Sequence, residues 1–237
     1  MPSLLRPARR PGGVLSADGK IWWPSRETLV KKLKANTNTT ETNCRPARDY
    51  LRLKMVVITN SQNLLLDGPT SRNSPLFVIN PKGITNLIIR NVQLHNDFWD
   101  HNGNAINIGA SHNVVIYPCM VSGSCIKSSG GNADGSMRNV WATDCRFIGT
   151  DIGGRVKSNA GRGGRVRGIY VDNVIMANTL HEAILFNASY EDVPTGKENG
   201  SGLPVTATKV PGFQQFYRKN ITYKSAETAI YFQGLPE

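Results

Sequence analysis

The sequence is short of acidic residues, of cysteines and of long apolar runs, and each shortage excludes a class of protein. Its 237 residues include 17 Asp and Glu against 28 Lys and Arg, which gives a formal net charge of +11. Only 19% of the residues are charged and 39% are hydrophobic. This balance excludes a disordered tail, and the chain is long enough to bury the core of one domain.

The four cysteines, Cys44, Cys119, Cys125 and Cys145, are too few and too irregularly spaced for a disulfide framework or a metal site. We therefore expect no metal and no other cofactor, and we expect Cys119 and Cys145 to fill the core. No apolar run approaches the roughly 18 residues of a membrane span, so no membrane partner is predicted. Arg6 and Pro7 interrupt the amino terminus before an apolar segment forms, so no signal peptide is predicted.

The basic residues are spread along the chain rather than gathered in a nucleic-acid motif. Regular aromatic interleaving is also missing, and we therefore expect no nucleic-acid partner. A polyanionic carbohydrate would satisfy the same positive charge. We expect the chain to be a monomer.

What the sequence does contain is a repeat. Six segments share the pattern polar-apolar-x-apolar-x-polar-apolar, at successive intervals of 23, 27, 26, 29 and 47 residues; they begin at Asn63, Asn86, Asn113, Asn139, Gly168 and Gln215. A second short apolar run follows each of the later starts, as in Ala105-Ile106-Asn107-Ile108. Short strands at such a period cannot close a core alone, but they can when stacked about 4.8 Å apart. The fold predicted is all-β, a single-domain right-handed parallel β-helix.

Stacking predicts columns of equivalent residues. One position after each start comes an apolar residue, from Leu87 to Phe216, and six positions after comes an apolar residue or a thiol, from Val92 to Ile221. Five positions after, a polar column is expected at a bend, where Asn and Asp tolerate left-handed backbone; it comprises Asn91, Pro118, Asp144, Asn173 and Asn220.

Two segments fall outside the regular repeat. Residues 1–54 are rich in Arg and Pro and are predicted to form a basic entry segment, with a candidate short helix at residues 25–34. Residues 55–237 are predicted to form the β-helix repeats, with a Gly/Pro/Lys-rich loop insertion at about 190–211 that explains the long last interval.

Several stretches resemble a known family. Trp22-Trp23-Pro24, NPKGITNLIIRNV, HNGNAINIGASHNVVIY, FIGTDIGGRVKSNAGRGG and IYVDNV are similar to the polygalacturonases of glycoside hydrolase family 28, particularly the exo-acting type. The resemblance implies a pectin-lyase-like solenoid that hydrolyses α-1,4-linked galacturonate in pectin with inversion. It implies a secreted or periplasmic location, although no signal peptide is visible in this chain.

The catalytic motifs of that family are not intact here. An inverting glycosidase needs two carboxyl groups roughly 6.5–9.5 Å apart, one to protonate the leaving oxygen and one to activate water. The family's Asn-x-Asp motif corresponds to Asn102-Gly103-Asn104, with an amide at the acid position. The Asp-Asp pair of the next coil is missing, apparently by deletion, and the Gly-His-Gly motif has no counterpart, as though about one coil had been removed. We therefore identify no intact catalytic residue, and Asn104 occupies the family's Asp position.

The fourth motif, Arg-x-Lys, survives as Arg155-Val156-Lys157. By resemblance these two cations bind the substrate carboxylate, because contacts between guanidinium or ammonium and carboxylate are charge-assisted. Arg162, Arg165 and Arg167 follow with no acid between Ile152 and Val171, although an ordinary solvated basic face would look the same. Asp151 and Glu182 are the nearest carboxylates that could act in place of the missing acids.

Three hypotheses remain open. The chain is a polygalacturonase-type glycosidase that acts on polygalacturonate or pectin oligosaccharides. Alternatively it is a catalytically inactive pectate-binding β-helix that retains Arg155 and Lys157. In the third, it is the truncated or decayed product of a gene, which predicts aggregation because apolar coil faces and strand edges are exposed.

Overall fold

The computed structural model describes residues 13–17, 19, 53–97, 103–123, 126–129, 136–158, 164–188 and 210–234, with only the backbone of 126–129. The candidate helix at residues 25–34, Cys44, Cys125 and nearly all of the expected loop insertion lie outside these residues. Within them the regular structure consists of eighteen strands, which pair in parallel and coil into a right-handed β-helix with three faces. The predicted fold is confirmed.

Face 1 is defined by six strands, the last two of which continue round a corner into face 2: β3 (Gln62–Asp67), β6 (Thr85–Arg90), β9 (His112–Ile116), β12 (Met137–Thr143), β15 (Arg165–Ala177) and β17 (Gly212–Lys224). Face 2 comprises the second parts of β15 and β17 and five short strands: β1 (Val14–Ser16), β4 (Thr70–Arg72), β7 (Val92–His95), β10 (Cys119–Ser122) and β13 (Arg146–Ile148).

Face 3 is a separate sheet of seven strands: β2 (Val56–Thr59), β5 (Ile79–Lys82), β8 (Ile106–Gly109), β11 (Ile126–Ser129), β14 (Gly154–Lys157), β16 (Glu182–Asn187) and β18 (Thr228–Gln233). One coil of chain passes through face 3, face 1 and face 2 in turn. Each coil therefore adds one rung to every face, about 4.8 Å above the last.

The predicted inward columns are confirmed. The residues that follow the repeat starts pair in register along face 1, from Leu64 through Leu87, Val114, Val140 and Ile169 to Phe216. Leu87 and Val114 are completely buried, and the core cluster runs on through Val92 and Val174 beneath face 2. The alternation of apolar and polar residues places one side of each strand in this core.

The residues at which the six sequence repeats begin lie at the corners of the coil. Asn63, Asn86, Asn113, Asn139, Gly168 and Gln215 all have positive φ, between 55° and 68°. Asparagine and glycine adopt this left-handed backbone more readily than other residues, which explains the repeated choice. Asparagine also links the rungs, since the Nδ2 of Asn86 donates to the Oδ1 of Asn63 at 2.8 Å, and Asn113 and Asn139 continue the ladder at 2.9 and 3.0 Å.

The polar column at the next corner is also left-handed, with φ between 50° and 56° at Asn91, Asp144, Asn173 and Asn220. Pro118 is the exception, because the proline ring fixes φ at a negative value. The cysteines lie where the core prediction placed them, with the Sγ atoms of Cys119 and Cys145 2.9 Å apart and both side chains buried. This contact and burial raise the pKa of the Cys119 thiol well above its ordinary value.

The entry segment contributes one strand that the repeat pattern did not predict. Val14 of β1 pairs with Thr70 of β4, so β1 lies beside the first coil at the edge of face 2. Both β1 apolar residues are exposed, at 63% for Val14 and 47% for Leu15. This strand covers hydrogen-bonding groups at an edge that would otherwise be open.

Candidate functional site

Face 3 brings the residues of the surviving family motif to the middle of the solenoid. Arg155 of β14 pairs in register with Lys127 of β11 on one side and with Leu185 of β16 on the other. Lys127 pairs in turn with Asn107 of β8. Asn107 donates from Nδ2 to the Oδ1 of Asn80 at 2.8 Å. A polar column thus crosses four rungs of this face, with a cation at Arg155.

Arg155 and Lys157 differ in accessibility. Two positions apart on β14, they lie on the same side of the strand, but Arg155 is half-buried and Lys157 is only 5% exposed. An ammonium group buried to this extent must keep polar interactions, because removing a bare charge from water is very costly. Of the two predicted binding residues, Arg155 is therefore the more accessible to a substrate.

Asn104 lies at the corner where face 2 turns into face 3, two residues before β8. Its side chain is buried, at 7% exposure, and its backbone carbonyl accepts a hydrogen bond from the Val78 amide at 2.9 Å. Ile106 and Gly154 both pair with Ile126, so β8 and β14 are two rungs apart, about 9.6 Å along the axis. The structure thus places Asn104 at the corner that enters this face, two rungs from the strand that carries Arg155. A carboxamide does not titrate in the range of pH in which proteins work, so Asn104 supplies no proton.

The strand β11 directly follows the point at which the family resemblance predicts the Asp-Asp motif. It pairs with β8 and β14, so the ladder of face 3 is continuous at this point. A solenoid that had lost a whole coil would also keep a continuous ladder, because each coil pairs only with its neighbours. Gly123, just before this strand, has φ of +70°, and a Cβ built there would lie 1.7 Å from the carbonyl oxygen of Asn96. No side chain, acidic or otherwise, fits at position 123.

Carboxylates do occur along the corner that leads into face 3. On three successive rungs stand Asp151, His181 and Glu227, linked by backbone hydrogen bonds from His181 N to Asp151 O and from Glu227 N to His181 O. The imidazole lies between the two acids, with Nδ1 3.0 Å from the Glu227 Oε2 and Nε2 3.5 Å from the Asp151 Oδ1. We call these three residues the corner triad.

Charge interactions dominate the corner triad. Partial burial on its own lowers the pKa of His181, but the hydrogen bond to Glu227 and the negative charges of Asp151, Glu182 and Glu227 outweigh it and raise that pKa above its ordinary value. The protonated imidazole is therefore favoured, and it pairs with both carboxylates. Sequence reasoning singled out Asp151 and Glu182 but missed Glu227, because 46 residues of chain separate it from His181.

The described ranges contain neither a membrane-spanning helix nor a metal-binding cluster. No helix there is long and apolar enough to cross a membrane. No group of three or more His, Cys, Asp or Glu in the same residues is arranged to hold a metal ion.

A right-handed parallel β-helix with a polar, cation-bearing face defines the class of this protein as a solenoid. The chain belongs to the glycosyl hydrolases family 28, whose family model matches residues 9–126 and 122–232. It is 25% identical over 231 residues to endopolygalacturonase I of Aspergillus oryzae, covering 85% of this chain and 58% of that one. It is 28% identical over 178 residues to endopolygalacturonase 1 of Colletotrichum lindemuthianum, covering 61% and 49%. The chain thus spans about half the length of these relatives.

Solved structures share the fold. The polygalacturonase from Erwinia carotovora ssp. carotovora superposes with a TM-score of 0.56 at 17% identity, over 92% of this chain and 69% of that one. A hyperthermoactive exopolygalacturonase from Thermotoga maritima gives the same TM-score at 20% identity, over 90% and 59%. At this level of identity the similarity establishes the β-helix and nothing finer.

Proposed function

We propose that this protein binds or hydrolyses α-1,4-galacturonan at face 3, with Arg155 and Lys157 pairing with the carboxylates of the polymer. The observation that carries the proposal is the position of both cations on β14, on the face to which the corner at Asn104 leads. A guanidinium group binds a carboxylate through two parallel hydrogen bonds, which adds orientation to attraction. Because Arg155 is the more exposed, we expect it to contribute more to binding than Lys157.

The second candidate is a pectate-binding β-helix without hydrolytic activity. It is favoured by the carboxamide at Asn104 and by the strands of face 3, of whose described residues Glu182 alone is acidic. Hydrolysis with inversion requires two carboxyl groups on opposite sides of the bond that breaks. In this second candidate, binding is retained and turnover is absent.

If the chain is active, we propose that the corner triad supplies the acid chemistry. Asp151 and Glu227 are two rungs apart, about 9.6 Å along the axis. That is the spacing of the backbone; the carboxylates of Asp151 and Glu227 reach in toward the imidazole, at 3.5 and 3.0 Å, and inverting glycosidases hold their carboxyl groups roughly 6.5–9.5 Å apart. The His181 ring occupies the space between them, so catalysis through this pair requires the ring to swing aside when substrate binds.

Release of reducing ends from polygalacturonate distinguishes these candidates. The unaltered chain is compared with Asp151→Asn, and with a repaired variant that combines Asn104→Asp with two aspartates inserted between Gly123 and Ser124. Insertion is needed because position 123 accepts no side chain. The matched control is Asn80→Asp with the same insertion, which adds the same charge to a half-buried amide elsewhere on face 3.

Turnover by the unaltered chain that disappears in Asp151→Asn supports hydrolysis by the corner triad. Turnover only in the repaired variant, and not in its control, supports the binding protein. If Arg155→Gln leaves binding of polygalacturonate unchanged in either case, the proposed site is wrong. We further propose that the protein works without a metal or cofactor, as a monomer, in a secreted or periplasmic location; sedimentation of the purified chain tests the monomer.

A further inference from the structure

A groove of about 620 Å³ lies at the corner where face 3 turns into face 1, away from the corner triad. Three arginines and a histidine line it, together with two amides of the asparagine ladder: Arg138, Arg165, Arg167, His112, Asn113 and Asn139. No acidic residue is among the described residues that line it. We call it the corner groove.

The cations of the corner groove form a regular array. Arg138 pairs in register with Arg167 on one side and with His112 on the other, so these three stand about 4.8 Å apart along the axis. Arg165 lies two positions before Arg167 on the same side of β15, about 6.6 Å away along the strand. All three arginine side chains are exposed.

The described part of the chain does not neutralise the array. Arg167 donates from Nε to the Oε1 of Gln215 at 3.0 Å, an uncharged partner. Among the described residues, none of the three arginines has an ion-pair partner. The pKa of His112 is lowered, first by partial burial and then by the positive charge of Arg138, so the neutral imidazole is favoured and the positive potential of the groove comes from the three arginines. Such a potential attracts anions of matching spacing.

The asparagine ladder ends beside the groove. The asparagine ladder runs through Asn113 and Asn139 and stops at Gly168, where a Cβ would lie 3.0 Å from the Oδ1 of Asn139. Because Gly168 carries no amide, the ladder supplies no donor to the Oδ1 of Asn139 on this side. A hydroxyl group of a ligand can donate to that oxygen, whereas an ionised carboxylate cannot.

We propose that the corner groove is a second binding site, separate from Arg155 and Lys157, for an acidic oligosaccharide whose carboxylates pair with Arg138, Arg165 and Arg167. The volume falls within the range of about 300–1,000 Å³ that is usual for ligand sites. The described residues that line the groove include no aromatic ring to stack nucleobases, which favours a carboxylated sugar over a nucleic acid. The choice of galacturonate as the sugar rests on the proposed function, whereas the arginine array does not.

Titration calorimetry with trigalacturonate tests this proposal. We compare the unaltered chain with Arg138→Gln/Arg165→Gln, with Arg155→Gln, and with Arg146→Gln/Lys224→Gln, which removes two exposed cations outside the groove. We expect two sites in the unaltered chain and at least a tenfold loss of affinity at one of them in the groove variant. The charge control should change affinity less than twofold, and maltotriose, which is uncharged, should not bind.

The outcomes separate this inference from the proposed function. Loss of all binding in Arg155→Gln, with no effect in the groove variant beyond that of the charge control, overturns the second site and leaves the proposed function standing. Loss in the groove variant alone supports the second site and overturns the binding role of Arg155. If a single-stranded oligonucleotide binds the same arginines more tightly than trigalacturonate, the ligand class is wrong and the proposal fails.

Discussion

The asparagine ladder makes the stability of the solenoid depend on a single exposed side chain, Asn86. Its Nδ2 donates to Asn63 at 2.8 Å, its Oδ1 accepts from Asn113 at 2.9 Å, and its φ is 61°. Asn86→Ala removes both hydrogen bonds and places a Cβ-bearing residue without local polar compensation in left-handed backbone. Asn86→Gly removes the same hydrogen bonds, but glycine adopts left-handed backbone without strain. Comparing the two variants therefore separates the contribution of the hydrogen bonds from that of the backbone strain.

The magnitudes follow from these geometries. Each of the two hydrogen bonds makes a net contribution of about 0.5–1 kcal/mol, so the glycine variant should lose about 1–2 kcal/mol of the free energy of unfolding. Strain of the left-handed backbone costs alanine about 1–2 kcal/mol more, so the alanine variant should lose about 2–4 kcal/mol of the free energy of unfolding. In a chain of this size each kcal/mol lowers Tm by about 2–4 °C, so the alanine variant should melt roughly 5–15 °C lower.

Urea and thermal unfolding followed by far-UV circular dichroism measure these losses. Gln93→Ala is the control, since Gln93 is an exposed amide on β7 outside the ladder. Equal losses for glycine and alanine would show that left-handed strain is absent, and losses no larger than that of the control would refute the ladder altogether. The same curves test the third hypothesis, because a decayed gene product should aggregate rather than unfold in one sharp transition.

Three further perturbations have definite expected outcomes. Gly168→Asn should lower the free energy of unfolding by about 0.5–1 kcal/mol less than Gly168→Val does in urea unfolding, because both place a Cβ 3.0 Å from the Oδ1 of Asn139 in left-handed backbone but only the amide can donate to that oxygen; equal losses would contradict the ladder. His181→Gln should lower Tm more at acidic than at alkaline pH. Because the pKa of His181 is raised in the folded protein, the stability that its ion pairs contribute is fully present below the ordinary histidine pKa and is lost as the pH rises through the pKa of the folded state. A loss of Tm that does not depend on pH would contradict the corner triad. Gly123→Asp should abolish soluble expression, and a well-folded variant would show that Asn96 does not contact position 123.

Much of the fold could be predicted from the sequence because the repeat carries its own register. An apolar residue directly after each corner asparagine fixes which side of the strand faces the core, as Leu87 and Val114 show. The strand β1 could not be predicted in this way, since the repeat pattern does not extend to Val14. Its position depends on pairing with β4, more than fifty residues along the chain.

The candidate site could be predicted only where a contiguous motif carries it. Arg155 and Lys157 lie two positions apart, so their common side of β14 follows from strand geometry. Glu227 meets His181 in the corner triad although 46 residues of chain separate them. Arg138 meets Arg167 in the corner groove across 29 residues. The intervals between repeats vary, so only the observed register shows which of these residues meet.

The same register separates the charges on the two sides of face 3. Four of the seven acidic residues that the structure describes lie along the corner entering this face: Asp97, Asp151, Glu182 and Glu227. The arginines of the corner groove lie at the opposite corner, and the four-residue strands between span about 13 Å. A uronate bound through its carboxylate at Arg155 would lie on the face between the two corners, and the acidic residues that the structure describes at the edge of this face are those of the acidic corner. If this chain hydrolyses its substrate, the proton donor must therefore come from the acidic corner, and Asp151, two rungs above the level of Asn104, is the first residue to replace.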